Sequence, residues 1–137
     1  MACVLLVSKE KVKDPKKWFS AEMDIDYQWE KDLGGYQSGS IHFSGIEGFY
    51  RFEDFQNDYF TYWGMDSWFS VAGDNEIIYG FYSEDNLSAE YVHIKNGECI
   101  REYRSYFDWP EENVDEGDSP EFDDWVAVSM YVDREMC

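Results

Sequence analysis

Positive charge is what this sequence has least of. Eleven lysines and arginines stand against thirty aspartates and glutamates, a formal net charge of −19. So one-sided a surface repels phosphate backbones and anionic headgroups, which argues against nucleic acid and membrane as partners. Cysteine is scarce as well: Cys3, Cys99 and Cys137 are odd in number with no C-x-x-C pair. Neither a disulfide framework nor a zinc site is indicated. Two histidines, His42 and His93, both fall on strand-like stretches. No Ser or Cys sits in a nucleophile elbow, and no glycine-rich loop leads into Lys-Ser/Thr, so the usual enzyme signatures are missing. No catalytic residue, metal site or cofactor is assigned. The run Ala2–Val7 is short for a secretory signal and lacks basic residues before it. No stretch approaches the roughly 20 apolar residues of a membrane helix. The expected location is the cytoplasm.

What is present is apolar and aromatic. Hydrophobic residues make up 44% of the 137 positions and aromatics 20%, far above the content of an acidic disordered tail. That is enough to bury one core, and residues 1–137 read as a single domain. Ala2–Ser8 is a continuous apolar run, as in a strand buried on both faces. Asp14-Pro15 opens a helix expected to reach about Leu33 and to stop at Gly34-Gly35. Gly39–Ser44 and Glu76–Ser83 read as strands. Asn96-Gly97 between Ala89–Lys95 and Glu98–Tyr106 marks a type I′ hairpin. From Phe49 to Phe69 lie ten aromatics. Phe52, Phe55 and Tyr59 suit one helix face, Thr61 onward suits extended chain, and periodicity leaves the two open. Ser119-Pro120-Glu121 reads as a helix start for Pro120–Arg134, although WVAVSMYV is also compatible with a last strand. The fold class expected is α+β: a largely antiparallel, meandering sheet with a helix near each end.

The charge is concentrated late in the chain. Residues 1–35 hold six of the bases against seven acids, leaving five bases against 23 acids in the rest. From Asp108 to Asp124 there are nine acids and no base, interrupted by Trp109, Pro110, Gly117 and Pro120. Nothing local neutralises them, and such self-repulsion is relieved when a cationic surface docks. Glu111, Glu112, Asp115, Glu116 and Asp118 are therefore the first candidates for partner contact, with Trp109 as anchor. Asp54, Asp58 and Asp66, beside the aromatics, form a second patch. Tyr59, Tyr62, Trp63 and Trp68 are candidate exposed rings, suited to arginine or lysine hot spots. Asn113-x-Asp115-x-Gly117-Asp118 offers calcium-type oxygens but lacks the twelve-residue loop and its closing Glu. Carboxylates beside aromatics also fit a carbohydrate-binding or hydrolysing site, although with so many of each such neighbours arise by chance.

The run Gly97-Glu98-Cys99-Ile100-Arg101-Glu102-Tyr103, followed by acids and Asn113, Glu116-Gly117, Trp125 and Tyr131-Val132-Asp133, resembles small bacterial immunity proteins. These accompany polymorphic toxins, including those of contact-dependent growth inhibition. The resemblance implies a cytoplasmic, single-domain, non-catalytic protein that binds a cognate toxin domain, commonly a basic nuclease, and blocks it. It supplies no motif for the contact residues. The other binding-protein reading is a DNA-mimic inhibitor, with carboxylates spaced like phosphates along an extended surface.

Overall fold

The computed structural model describes residues 1–23, 28–29, 40–55 and 59–137. Among these residues eight strands form one sheet: β1 (Ala2–Ser8), β2 (Gln28–Trp29), β3 (Ser40–Ile46), β4 (Phe49–Asp54), β5 (Ile77–Ser83), β6 (Ser88–Lys95), β7 (Glu98–Tyr106) and β8 (Val114–Glu116). Their spatial order is β2-β3-β4-β1-β5-β6-β7-β8, antiparallel throughout except for the short parallel pair β2–β3. The α+β meander expected from the sequence is the observed architecture. Among the described residues three α-helices accompany it: α1 (Pro15–Glu22), α2 (Met65–Ala72) and α3 (Trp125–Glu135).

The first strand is central, and its side chains divide the interior. Cys3, Leu5 and Val7 point into a core with Phe19 of α1, Trp68, Val71 and Ala72 of α2, and Phe52, Phe60 and Tyr79. Val4 and Leu6 point to the opposite core, with Tyr91, Tyr103, Phe122 and Val128 and Val132 of α3. Helices cover both faces, which is why this strand reads as an unbroken apolar run and not as an alternation. Gly80 on β5 permits the close approach of α3. A Cβ there would lie 2.6 Å from Met136 Sδ and 2.8 Å from Val132 Cγ2. Arg51 secures the end of the chain, its Nε donating to the Met136 carbonyl at 2.7 Å.

Two expectations need correction, and one open choice is resolved. The first helix is shorter than its periodicity suggests: Met23 turns extended (φ −96°, ψ 110°), and Trp29 lies on a strand. The expected continuation through Leu33 and the Gly34-Gly35 stop lie outside the described residues. In the aromatic segment, where periodicity left helix and extended chain open, the strand comes first and the helix second. Phe52 is held in β4 by its register with Leu5 and Phe43, while α2 begins after Gly64 with Asp66 in its first turn. Finally, α3 starts at Asp124 and not at Ser119. The Asp124 carboxylate accepts from the amides of Val126 and Ala127, whereas the Pro120 carbonyl is engaged by Arg101.

The hairpin stands as read. Asn96 (φ 53°) and Gly97 (φ 75°) join β6 to β7, and alternation along β7 sends Arg101 and Tyr103 to the α3 face. Glu102, Arg104 and Tyr106 go to the other. Among the described residues no helix is long and apolar enough to cross a membrane.

Candidate functional site

Strand β7 places one arginine on each face of the sheet beneath the acidic segment, and each organises a different structure. Arg101, almost fully buried, reaches toward the segment that follows the strand. Its Nη1 donates to Asp115 Oδ1 at 2.6 Å, to the Glu116 carbonyl at 2.8 Å and to the Gly117 carbonyl at 3.3 Å. Its Nε donates to the Pro120 carbonyl at 2.8 Å. The guanidinium also lies about 5.5 Å from the rings of Tyr103 and Phe122. The expectation that nothing local neutralises the acids is corrected for Asp115 alone, which a cation from the preceding strand pairs from below. The same geometry engages several oxygens of the calcium-like run. Asp115 Oδ1 and the Gly117 carbonyl accept from Arg101, and Asn113 Oδ1 accepts from the Tyr106 amide at 2.7 Å.

On the other face, Glu90 of β6 is fully buried and accepts four hydrogen bonds. The donors are the Tyr62 amide (3.1 Å), Tyr79 Oη (2.8 Å), Arg104 Nη1 (2.9 Å) and, by a very short contact, Tyr106 Oη. A buried carboxylate requires such a shell of donors. Arg104 in turn gives Nε to Glu102 at 2.7 Å and Nη2 to the Trp63 carbonyl at 2.8 Å and Met65 Sδ at 3.9 Å. Burial pulls the Arg104 guanidinium toward its neutral form, but Glu90, Tyr106 and Glu102 outweigh that and leave its pKa raised. Burial, and then Glu90, push the Tyr106 phenol well above its ordinary range, and the same causes act on Tyr62.

Above this network opens a cleft of about 360 Å³, walled by Tyr62, Trp63, Met65, Tyr106, Trp109 and Val114, with Glu102 and Arg104 at its base and Glu112 on its lining. Tyr62 and Trp109 remain about half exposed, at 54% and 55%. Tyr62 has a positive φ of 67°, a conformation that costs a non-glycine residue about 1–3 kcal/mol and is held here by the amide bond to Glu90. Phe107, 70% exposed, borders a smaller adjoining hollow with Asn86 and Asp108.

The acids named from the sequence separate accordingly. Trp109 and Glu112 belong to the cleft. Glu111, in the middle of a 3-10 turn, and Asp118 are exposed, and neither forms an ion pair among the described residues. Asp115 is paired with Arg101 yet keeps 64% of its side chain exposed, and Glu116 lies across from Glu102 on β8. Asp66 is exposed in the first turn of α2, where a carboxylate suits the helix dipole. Asp54 is corrected from partner contact to core. It is buried, and its Oδ2 accepts from the Tyr59 amide at 2.6 Å and the Phe60 amide at 3.0 Å. Asp58 lies outside the described residues. Of the rings proposed as exposed, Tyr62 is and Trp68 is not: Trp68 is fully buried, stacked 4.4 Å from Tyr79. Glu90, Arg101, Arg104 and Phe107 were not singled out as functional. The outward alternation of β7 was the only available signal for the arginines.

The burial of cations sharpens the surface charge. Of the five bases after residue 35, Arg51, Arg101 and Arg104 are buried, leaving Lys95 and Arg134 exposed. All nine acids from Asp108 to Asp124 are exposed. Comparison with protein-family models, with curated proteins and with solved structures gave no match to this chain.

Proposed function

We propose that this chain is an immunity protein that neutralises a basic, nuclease-type toxin domain in the cytoplasm by direct contact through its acidic surface. The observation that carries the reading is the segregation of charge just described: exposed carboxylates along residues 108–124, with the nearest cations turned inward as struts. A surface of one sign steers an oppositely charged partner into encounter and is relieved of self-repulsion on docking. The same carboxylates can occupy the region of a nuclease where phosphates sit, so that binding and occlusion are one event. The Arg101 bonds hold the segment before the partner arrives, which reduces the ordering cost of association.

The test is binding and cell rescue with the toxin domain encoded beside this chain. Glu111→Lys, Glu116→Lys and Asp118→Lys change the charge of the segment and leave the Arg101 side-chain bonds and most of the cleft in place. The triple variant is expected to associate at least tenfold more slowly at ~10 mM salt, where the screening length is about 30 Å. The difference should narrow at physiological salt, where that length is about 8 Å. Unchanged association would remove this segment from the interface, and failure of the parent protein to rescue cells would sink the immunity reading.

A further inference from the structure

The cleft between Tyr62 and Trp109 has a chemistry of its own, distinct from the general acidity around it. Its single cation is spent. Arg104 has five N–H donors, and they are directed at Glu102, Glu90, Tyr106, the Trp63 carbonyl and Met65 Sδ. No donor is left to receive a phosphate or carboxylate, so the guanidinium at the base does not make this an anion site. Of the charged residues that line it, Glu102 and Glu112 outnumber Arg104, and the cleft is formally net negative. Burial, with Glu90, raises the phenols of Tyr62 and Tyr106, so both rings are neutral near pH 7 and offer their π faces. At about 360 Å³ the cleft is at the small end of ligand sites, which run roughly 300–1,000 Å³. That size takes one long side chain and not a helix or a strand.

We infer that this cleft seats one arginine side chain projecting from the toxin domain, with its guanidinium on the Tyr62 and Trp109 rings and paired with Glu112. Arginine fits better than lysine: a planar, weakly hydrated guanidinium lies flat on aromatic surface, and its stem covers Met65 and Val114. Charge complementarity names the occupant. An aromatic wall alone would also accept an apolar residue, but the formal excess of carboxylates would be left unanswered by one. Glu112 forms no ion pair among the described residues and is available. Tyr62 is fixed in advance by the Glu90 bond to its strained backbone, so little ordering remains to be done on docking. The inference rests on the immunity reading and adds the contact that anchors it.

Two measurements test it. In the first, acetyl-Gly-Arg-Gly-amide and its citrulline counterpart, equal in shape but uncharged, are titrated into the protein while the Trp109 indole N–H resonance is followed. The arginine peptide is expected to shift it, and the citrulline peptide to leave it near its free position. Equal responses to the two peptides overturn the inference. In the second, Trp109→Ala and Glu112→Gln are compared with the parent for binding the toxin domain. The expected losses are about tenfold or more for the ring, in the range of an interface hot spot, and several-fold for the carboxylate. Both side chains are exposed, and melting curves matching the parent establish that the variants fold. If these variants bind like the parent while the charge-reversed segment binds weakly, the cleft is not the anchor and the acidic-surface reading stands. A parent that does not bind at all removes both.

Discussion

Replacing Arg101 with methionine separates the scaffold role of the acidic segment from its charge. Methionine keeps an apolar stem against Tyr103 and Phe122 and removes every donor that holds residues 115–120. Charge-assisted bonds contribute about 1.5–3 kcal/mol each, and breaking a buried ion pair costs roughly 3–5 kcal/mol. The loss here is expected to be lower, about 2–4 kcal/mol, because Asp115 is 64% exposed and the freed Glu116 and Gly117 carbonyls regain water. For a domain of this size that is a fall in Tm of about 5–12 °C. Asp115→Asn removes only the exposed half of the pair, for about 0.2–1 kcal/mol. The asymmetry between the two variants is the signature, since the backbone carbonyls and not the carboxylate are the main partners. Urea melts give the energies, and hydrogen exchange locates them: amides of 114–116 should lose protection while those of β6 keep theirs. Equal costs for the two variants, or retained protection in 114–116, would refute the account of Arg101 as the tether.

Two further outcomes follow from the packing and the buried phenols. Gly80→Ala pushes a methyl into Val132 and Met136 and should cost about 1–3 kcal/mol in denaturant melts. Met136→Ala in the same chain should recover part of that loss, and strictly additive energies would show that α3 does not press on Gly80. At alkaline pH, Tyr79 and Tyr106 are raised above the ordinary value of 10.0 by burial and then by Glu90, and Tyr91 by burial and then by Tyr131. The unfolded chain loses these protons near pH 10 while the folded protein keeps them, so stability is intact below pH 10 and falls as pH rises beyond it. The slope is about 1.4 kcal/mol per pH unit for each phenol. Absorbance at the tyrosinate band should therefore rise for these three only together with unfolding; titration near pH 10 in the folded state would contradict their burial.

The parts of the fold legible in the sequence are those specified by neighbours. Asn96-Gly97 between two β-rich runs gave the hairpin, and the alternation of β7 correctly placed Arg101 and Arg104 on opposite faces. The parts that were not legible depend on distant partners. Arginine is ordinarily exposed, and nothing within a few residues of Arg104 announces that Glu90, fourteen positions earlier, will meet it in the interior. Glu90 is itself hidden because its donors come from Tyr62, Tyr79, Arg104 and Tyr106, which only the sheet brings together. The acidic segment was visible as charge, but its division into a tethered strand and a cleft wall was not. In the aromatic segment, ring density masked the periodicity on which a helix or strand assignment depends.

The last strand of the sheet has a consequence for how the molecule keeps company with itself. β8 is only three residues long, and two of them, Asp115 and Glu116, are acids. Its outer side offers backbone groups on which another chain can add a strand, the usual route to edge-to-edge aggregation. A second copy approaching there would bring its own Asp115 and Glu116 against these, like charge to like charge. The brevity of the strand leaves few bonds to reward the contact. The acidity of this edge therefore discourages self-assembly along it.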